Sequence, residues 1–391
     1  MNQPIVHAGY ETIIVSRRLA LFRNLSSAVF PERASPDEAK TVHDKVRTAF
    51  AELVRASGSG VEITETAHND AGWVERMAVY ERLCDGDPDE TKREHVVFLE
   101  APGFPDVVVN TSDHVEISVN CEQLPFADAL ARALKTADTL GKRLNFAGAE
   151  PFGWLAADPG HAGVGMYISQ SFCFGALMIL RELDSVLRGV ERIGFDIMPV
   201  CGDSGADSSV PELAPGSCYR ISPVPNDGMD AAALAAKAER VFAALAEIEK
   251  NARIALGADH VSRDMLEDYA MRAVGVGAGA RSVSENEYLD LFAALAFAVD
   301  MGVFKEVREQ GECKPLFAFF TDSVTLFALQ KVMTGNADFD EDHADFLRKR
   351  FLADFTRRDF SRFVPELYER INDDMPEWMT GQPAKKRRKK K

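Results

Sequence analysis

The hydrophobic spacing of this chain changes once, near residues 257–261, and that change limits the fold more than any other feature. Before it, β-type segments are interleaved with helical ones; after it, the spacing is helical throughout. The clearest strand is His114-Val-Glu-Ile-Ser-Val119. Its alternation puts Val115, Ile117 and Val119 on one face and His114, Glu116 and Ser118 on the other. Thr12–Val15, Val96–Phe98, Val107–Val109, Ile193–Val200 and Tyr219–Ser222 read as further strands, with a turn at Asn110–Asp113. A helix is predicted over 36–56, because Ser35 and Glu38 have capping-box spacing and Pro36 takes the first helical position. Others are predicted over 126–145, Phe172–Leu187 and Asp230–Leu256. Beyond the change come Met265–Val274, a helix opened by a capping box at Ser284 and Glu287, and then 322–334, 341–355 and 365–374. From Pro376 onward the periodicity is lost, and that stretch is expected to be disordered.

Between these segments lies Phe152–Ser171, where an apolar start meets the turn signal Asp158-Pro159-Gly160. A glycine-punctuated loop, Gly160 to Gly165, then enters an apolar run from Met166. Glycines so spaced let backbone approach a ligand closely, or let the chain turn. On pattern alone, the arginines of 10–25 read as solvated groups on a strand edge, and His95 as an ordinary strand histidine.

Composition sets the class. A chain of 391 residues, 46% hydrophobic and 27% charged, is long enough for two or three soluble domains. No apolar run approaches the length of a membrane span, and the first residues lack a signal-peptide pattern. Six cysteines without a C-x-x-C pair point to reduced thiols in the cytoplasm and to no zinc site, and no metal is expected. The net charge of −16 repels nucleic acid and anionic membranes. Lys385–Lys391 is wholly basic, so nucleic acid is expected to meet this chain only there.

The motifs resemble those of the ATP:guanidino phosphotransferases, in layout the bacterial protein-arginine kinases. The family loop reads Cys-Pro-x-Asn-x-Gly-Thr-Gly-x-Arg. Here Pro159, Gly163 and Gly165 are kept, Asp158 replaces the cysteine and Tyr167 replaces the nucleotide-contacting arginine. The N-terminal motif Ser-Ser-Arg-x-Arg-x-x-Arg-Asn-Leu is matched by Ser16, Arg18, Arg23, Asn24 and Leu25. Its second phosphate arginine is Ala20 here, and its second serine is Arg17. The motif Asn-Glu-Glu-Asp-His-x-Arg keeps Asn110, Asp113 and His114, with Thr111 and Ser112 at its glutamates and Glu116 at its arginine. His95 matches a histidine near the nucleotide. In the Arg-Gly-x-x-Gly-Glu region Met198 replaces the arginine, and Asp203 stands for the second catalytic carboxylate. Phe339–Ala344 falls at a phosphoarginine pocket, where Asp340 and Ala344 remain and both arginines are gone.

The resemblance implies an α+β fold. An antiparallel sheet flanked by helices is expected over 1–257, an all-helical domain over 258–375, and a basic tail over 376–391. It implies MgATP as cofactor, with Ser16, Arg18, His95, Glu116, Tyr167 and Met198 at nucleotide-binding positions. Of five phosphate arginines only Arg18 remains. Each such contact is worth roughly 4 kcal/mol at about 4 Å and an effective dielectric near 20, so MgATP is expected not to bind. Of the catalytic positions, Asp203 keeps its charge, Asp158 gains one, and Ser112 is a poor base at neutral pH. The expected function is therefore that of a degenerate kinase acting as a binding or regulatory protein. An arginine side chain on a partner is the expected ligand, met by Asp113, His114, Asp158, Glu116, Gly163 and Gly165, with Tyr167 or Trp154 stacked on the guanidinium. Two alternatives stand beside it. One is an active guanidino kinase whose clamp is rebuilt from Arg17, Arg23 and Lys142. The other is an adaptor that docks acidic partners or nucleic acid through its tail. By analogy with the bacterial relatives, a homodimer forms through the helical domain.

Overall fold

The computed structural model of the chain describes residues 12–67, 70, 95–121, 124–200, 217–224, 229–304, 349–350, 353 and 356–357. Asp203, Phe339–Ala344, the helices expected over 322–334 and 365–374, the 376–391 tail, Cys84, Cys201 and Cys313 lie outside the described residues, as does nearly all of 341–355.

The strands are β1 (Ile14–Arg23), β2 (Thr64–Thr66), β3 (Val97–Glu100), β4 (Asp106–Val109), β5 (Val115–Asn120), β6 (Gly148–Ala149), β7 (Gly153–Trp154), β8 (Met166–Cys173), β9 (Phe195–Pro199) and β10 (Cys218–Pro223). The helices are α1 (Pro36–Ala56), α2 (Phe126–Leu144), α3 (Gly175–Ile179), α4 (Leu183–Arg192), α5 (Ala231–Ala258), α6 (His260–Gly279) and α7 (Glu285–Asp300). Eight strands form one antiparallel sheet in the order β2-β3-β4-β5-β1-β8-β10-β9, so the expected fold class holds. β6 and β7 make a separate hairpin.

Local chemistry explains most boundaries. Ser35 and Glu38 close the expected capping box on α1. Asp230 caps α5 by accepting from Ala233 N–H, and Ser284 caps α7 by accepting from Glu287 N–H. One expectation fails: Phe172–Leu187 is not a single helix. Phe172 and Cys173 are the last residues of β8, and Arg181 takes a left-handed turn (φ 61°) between α3 and α4. The run is apolar because the end of β8, buried on both faces, passes almost directly into the buried α3, and spacing alone does not separate the two.

Register sorts the sheet into two faces. Leu19, Leu21, Ile117, Val119 and Ile168 share the face packed against α1, α2 and α5, where Val46, Phe50, Ala133, Leu140 and Phe242 complete the core. The other face is polar. Ser16, Arg18, Ala20 and Phe22 of β1 lie beside Glu116 and Ser118 of β5, Tyr167, Ser169 and Ser171 of β8, Arg220 and Ser222 of β10, and Asp196 and Met198 of β9.

The change of spacing at 257–261 corresponds to a tight joint. α5 ends at Ala258, and α6 starts at His260 after its cap, Asp259. A buried ionic network crosses this region. Arg253 of α5 donates from Nε to Glu249 Oε1 (2.9 Å), and from Nη1 to Asp300 Oδ2 and Thr12 Oγ1 (both 3.1 Å). Glu249 also accepts from the Ala176 and Leu177 amides, which open α3. Burial pushes the Glu249 carboxyl up, against the opposing pull of Arg253. No helix among the described residues is long and apolar enough to cross a membrane.

Cys173 and Cys218 form a disulfide between β8 and β10, which corrects the expectation of reduced thiols for this pair. They stand 45 residues apart in sequence but opposite each other in the ladder, a proximity the spacing does not reveal. Cys121 is a free, buried cysteine.

Candidate functional site

On the polar face the altered arginine positions fall together. Ala20 and Tyr167 are direct cross-strand partners and pack with Phe22 into a small apolar cluster. His161 of the glycine loop stacks on Phe22, with centroids 4.6 Å apart, and meets Tyr167 edge-on at 5.3 Å. Aromatic packing thus fills the ground between Ala20 and Tyr167.

Arg18, the one phosphate arginine retained, is 7% exposed and ion-paired to Glu116, which is 1% exposed. Its Nε also donates to Ser118 Oγ at 3.1 Å. Glu116 was expected to face an incoming guanidinium; it faces the chain's own. Ser16 Oγ donates to Ser171 Oγ at 2.9 Å.

The arginines of the alternative clamp point elsewhere. Arg17 lies on the helix-covered face, where its Nη2 donates to Glu239 of α5 at 2.8 Å and its guanidinium lies over Phe126. Arg23 donates from Nη1 to the carbonyls of Phe22 and Gly165 and stacks on Trp154 at 4.3 Å, and burial lowers its pKa to about 10. Lys142 is exposed near the C-terminal end of α2. The expectation that arginines 10–25 are solvated is corrected by the burial of Arg18 and Arg23.

The glycine loop closes on itself. Gly163 pairs with Trp154 through two backbone hydrogen bonds of 2.9 Å, and the Phe22 amide donates to Gly165 O at 2.9 Å. Both glycines have positive φ, 88° and 61°, and a Cβ on Gly165 would come 2.6 Å from Arg23 Nη1. The amides of Gly160, His161, Ala162, Gly163 and Gly165 all donate within the loop or to the hairpin. A phosphate cradle needs such N–H groups turned outward.

Asp113 and His114 are joinery. Asp113 Oδ1 accepts from Asn24 Nδ2 and from the Ala157 amide at 2.7 Å, and burial raises its pKa. His114 Nδ1 accepts from the Leu25 amide at 3.2 Å, so Nε2 carries the proton toward Val29 O at 2.7 Å. Burial lowers the His114 pKa, consistent with a neutral ring. Ser112 is exposed in the turn, and the His95 carbonyl accepts from Asn110 Nδ2 at 3.4 Å.

Between the glycine loop and β9 opens a cleft of about 1180 Å³. Phe152, Val164, Ile197, Met198 and Met229 give it apolar ground. Asp158, Glu191, Asp196 and Asp230 give it four carboxylates, and no lysine or arginine lines it among the described residues. Asp158 accepts from the Gly160 amide at 2.7 Å, and its Oδ2 lies 3.7 Å from His161 Nδ1. Sequence reasoning missed Arg220, which lies directly across the ladder from Met198 and Ser171. A basic residue inside a strand pattern was the available signal.

Among the described residues, three features bear on MgATP. The retained arginine is neutralised by a buried carboxylate, the loop amides are engaged, and the cleft is acidic. Among the described residues no group of three or more His, Cys, Asp or Glu is arranged to hold a metal.

The chain belongs to the ATP:guanido phosphotransferase family: the profile of its C-terminal catalytic domain matches residues 41–252. The chain is 24% identical over 307 residues to a protein-arginine kinase of Bacillus pumilus, covering 78% of this chain and 81% of that one. It is 26% identical over 299 residues to one of Moorella thermoacetica, covering 76% and 83%. Among solved structures, the substrate-free duplicated taurocyamine kinase of Schistosoma mansoni aligns with a TM-score of 0.46 and 17% identity, over 63% of this chain and 34% of that one. A lombricine kinase aligns with a TM-score of 0.46 and 14% identity, over 63% and 69%.

Proposed function

We propose that this protein is a catalytically degenerate relative of the protein-arginine kinases, which binds an arginine-bearing partner instead of phosphorylating it. The observation that carries this reading is the Arg18–Glu116 pair: the last phosphate arginine is buried against a carboxylate that stands where another arginine is expected. The cleft supports the second half of the reading. Carboxylates take guanidinium groups through charge-assisted, bidentate hydrogen bonds, and apolar ground beside them suits the aliphatic stem of arginine. Asp158 and Asp196, on opposite sides of the cleft, are the residues that would receive such a side chain.

Calorimetric titration tests both halves. MgATP at millimolar concentration gives no binding heat, whereas an arginine-rich peptide binds, and Asp158→Asn and Asp196→Asn each weaken it about fivefold, the scale of an exposed ion pair. Saturable MgATP binding, or ATP-dependent labelling of arginine, would overturn the reading. One observation favours a second reading, an active kinase with a displaced clamp: Arg220 places a guanidinium one strand from the lost arginine position at Met198. Arg220→Gln would abolish arginine labelling under that reading and change nothing under the first.

A further inference from the structure

Cys173 and Cys218 are direct cross-strand partners in β8 and β10, and both are buried. Their disulfide ties together the two ends of the segment that carries α3, α4 and β9. That segment supplies one side of the cleft: Glu191, then Gly194 to Met198. Among the described residues β9 is the edge of the sheet and is hydrogen-bonded to β10 alone. Met198 of β9 is exposed, as is Ile193 just before the strand. The facing side, the glycine loop, leads directly into β8. The bond therefore joins the strand that follows one side of the cleft to the strand that carries the other.

We propose that the Cys173–Cys218 disulfide is a redox-operated latch on this cleft. Oxidised, it pins both ends of the β9 segment covalently; reduced, it leaves that side held by the β8–β10 and β9–β10 ladders and by packing. A dithiol reductant performs the step. One of its thiolates attacks a protein sulfur, breaking the S–S bond and forming a mixed disulfide. Its second thiol then displaces the other protein sulfur, leaving two protein thiols and an oxidised, cyclic disulfide reductant. Two electrons and two protons pass to the protein. Both cysteines belong to one buried cluster with Val15 and the α7 residues Tyr288, Leu289 and Phe292, so attack follows local opening of this seam. The sequence separation sets the ceiling: closing a loop of 45 residues shifts an opening equilibrium by at most about a thousandfold. The latch is independent of what the cleft binds.

The test uses the full chain. Purified without reductant, denatured and alkylated, the peptides containing Cys173 and Cys218 stay unlabelled until a dithiol is added. In the native protein, the amides of residues 191–199 exchange at least tenfold faster after reduction, whereas those of α1 and β4 are unchanged. Re-oxidation restores the slow rate. The double variant Cys173→Ala/Cys218→Ala exchanges like the reduced protein; where it fails to fold, the reduction and re-oxidation cycle of the unaltered chain decides. Labelling of both cysteines without reductant overturns the proposal. So does unchanged exchange at 191–199, or acceleration spread evenly over the whole sheet.

Discussion

Replacing Glu116 by Gln keeps the shape of the side chain and removes the charge that Arg18 faces. Both residues are buried, at 1% and 7% exposure, so water does little to replace the lost partner. An isolated cation left in such a place costs about 3–5 kcal/mol, against 0.2–1 kcal/mol or so for a pair on the surface. Arg18 keeps its bond to Ser118, which places the expected loss near the lower end, about 3 kcal/mol. That is a large share of a domain stability of roughly 5–15 kcal/mol. Arg18→Met strands the carboxylate instead and costs a similar amount. The double variant Arg18→Met/Glu116→Gln loses much less than the sum, because neither charge is then buried alone. Urea unfolding of the four proteins measures this as a double-mutant cycle. A coupling energy of at least about 2 kcal/mol is expected. A value below about 0.5 kcal/mol, the scale of exposed pairs, would refute the claim that Arg18 is committed to Glu116.

Burial holds the folded pKa of His114 below its ordinary value of 6.5, so the unfolded chain takes up this proton first. Its contribution to stability is full above pH 6.5 and is lost as pH falls; urea midpoints of His114→Gln decline less between pH 7 and 5 than those of the unaltered chain, and parallel declines would contradict this. Gly165→Ala forces a Cβ against Arg23 Nη1 and the Phe22 carbonyl at a positive φ. It should destabilise the protein by about 1–3 kcal/mol in the same assay, and a neutral result would show that the loop does not depend on this close approach. The Cys121 thiol, pushed up to about 12 by burial, stays unalkylated in the native chain at pH 8; labelling at the rate of a free thiol would show that the site is open.

Local rules made much of the fold legible. Ser35 and Ser284 announced their helices because a side-chain oxygen three residues before an amide leaves a mark in sequence. The alternation from Val115 to Val119 announced a strand with one apolar face. What escaped was long-range. Nothing near Cys173 says that Cys218 lies opposite, and nothing near Phe172 says that both faces of its strand are buried. The site was legible as a set of positions and not as a set of contacts. Glu116 could be read as an altered clamp residue, but its pairing with Arg18, 98 positions away, depends on β1 and β5 being neighbours. Likewise Arg17 and Arg18 look equivalent in sequence; the pleat sends one to the helices and the other to the polar face.

The network around Arg253 bears on how such a protein is inherited. The family profile ends at residue 252, one position short of the arginine that Glu249 requires. A gene fragment exchanged at that limit would carry a buried carboxylate and leave its counter-charge behind, with Asp300 and Thr12 also deprived of theirs. A unit cut at residue 252 would not carry its own charge balance: β1's neighbour Thr12, Glu249 of α5 and Asp300 of α7 share one buried cation, so a change at Arg253 is felt at all three.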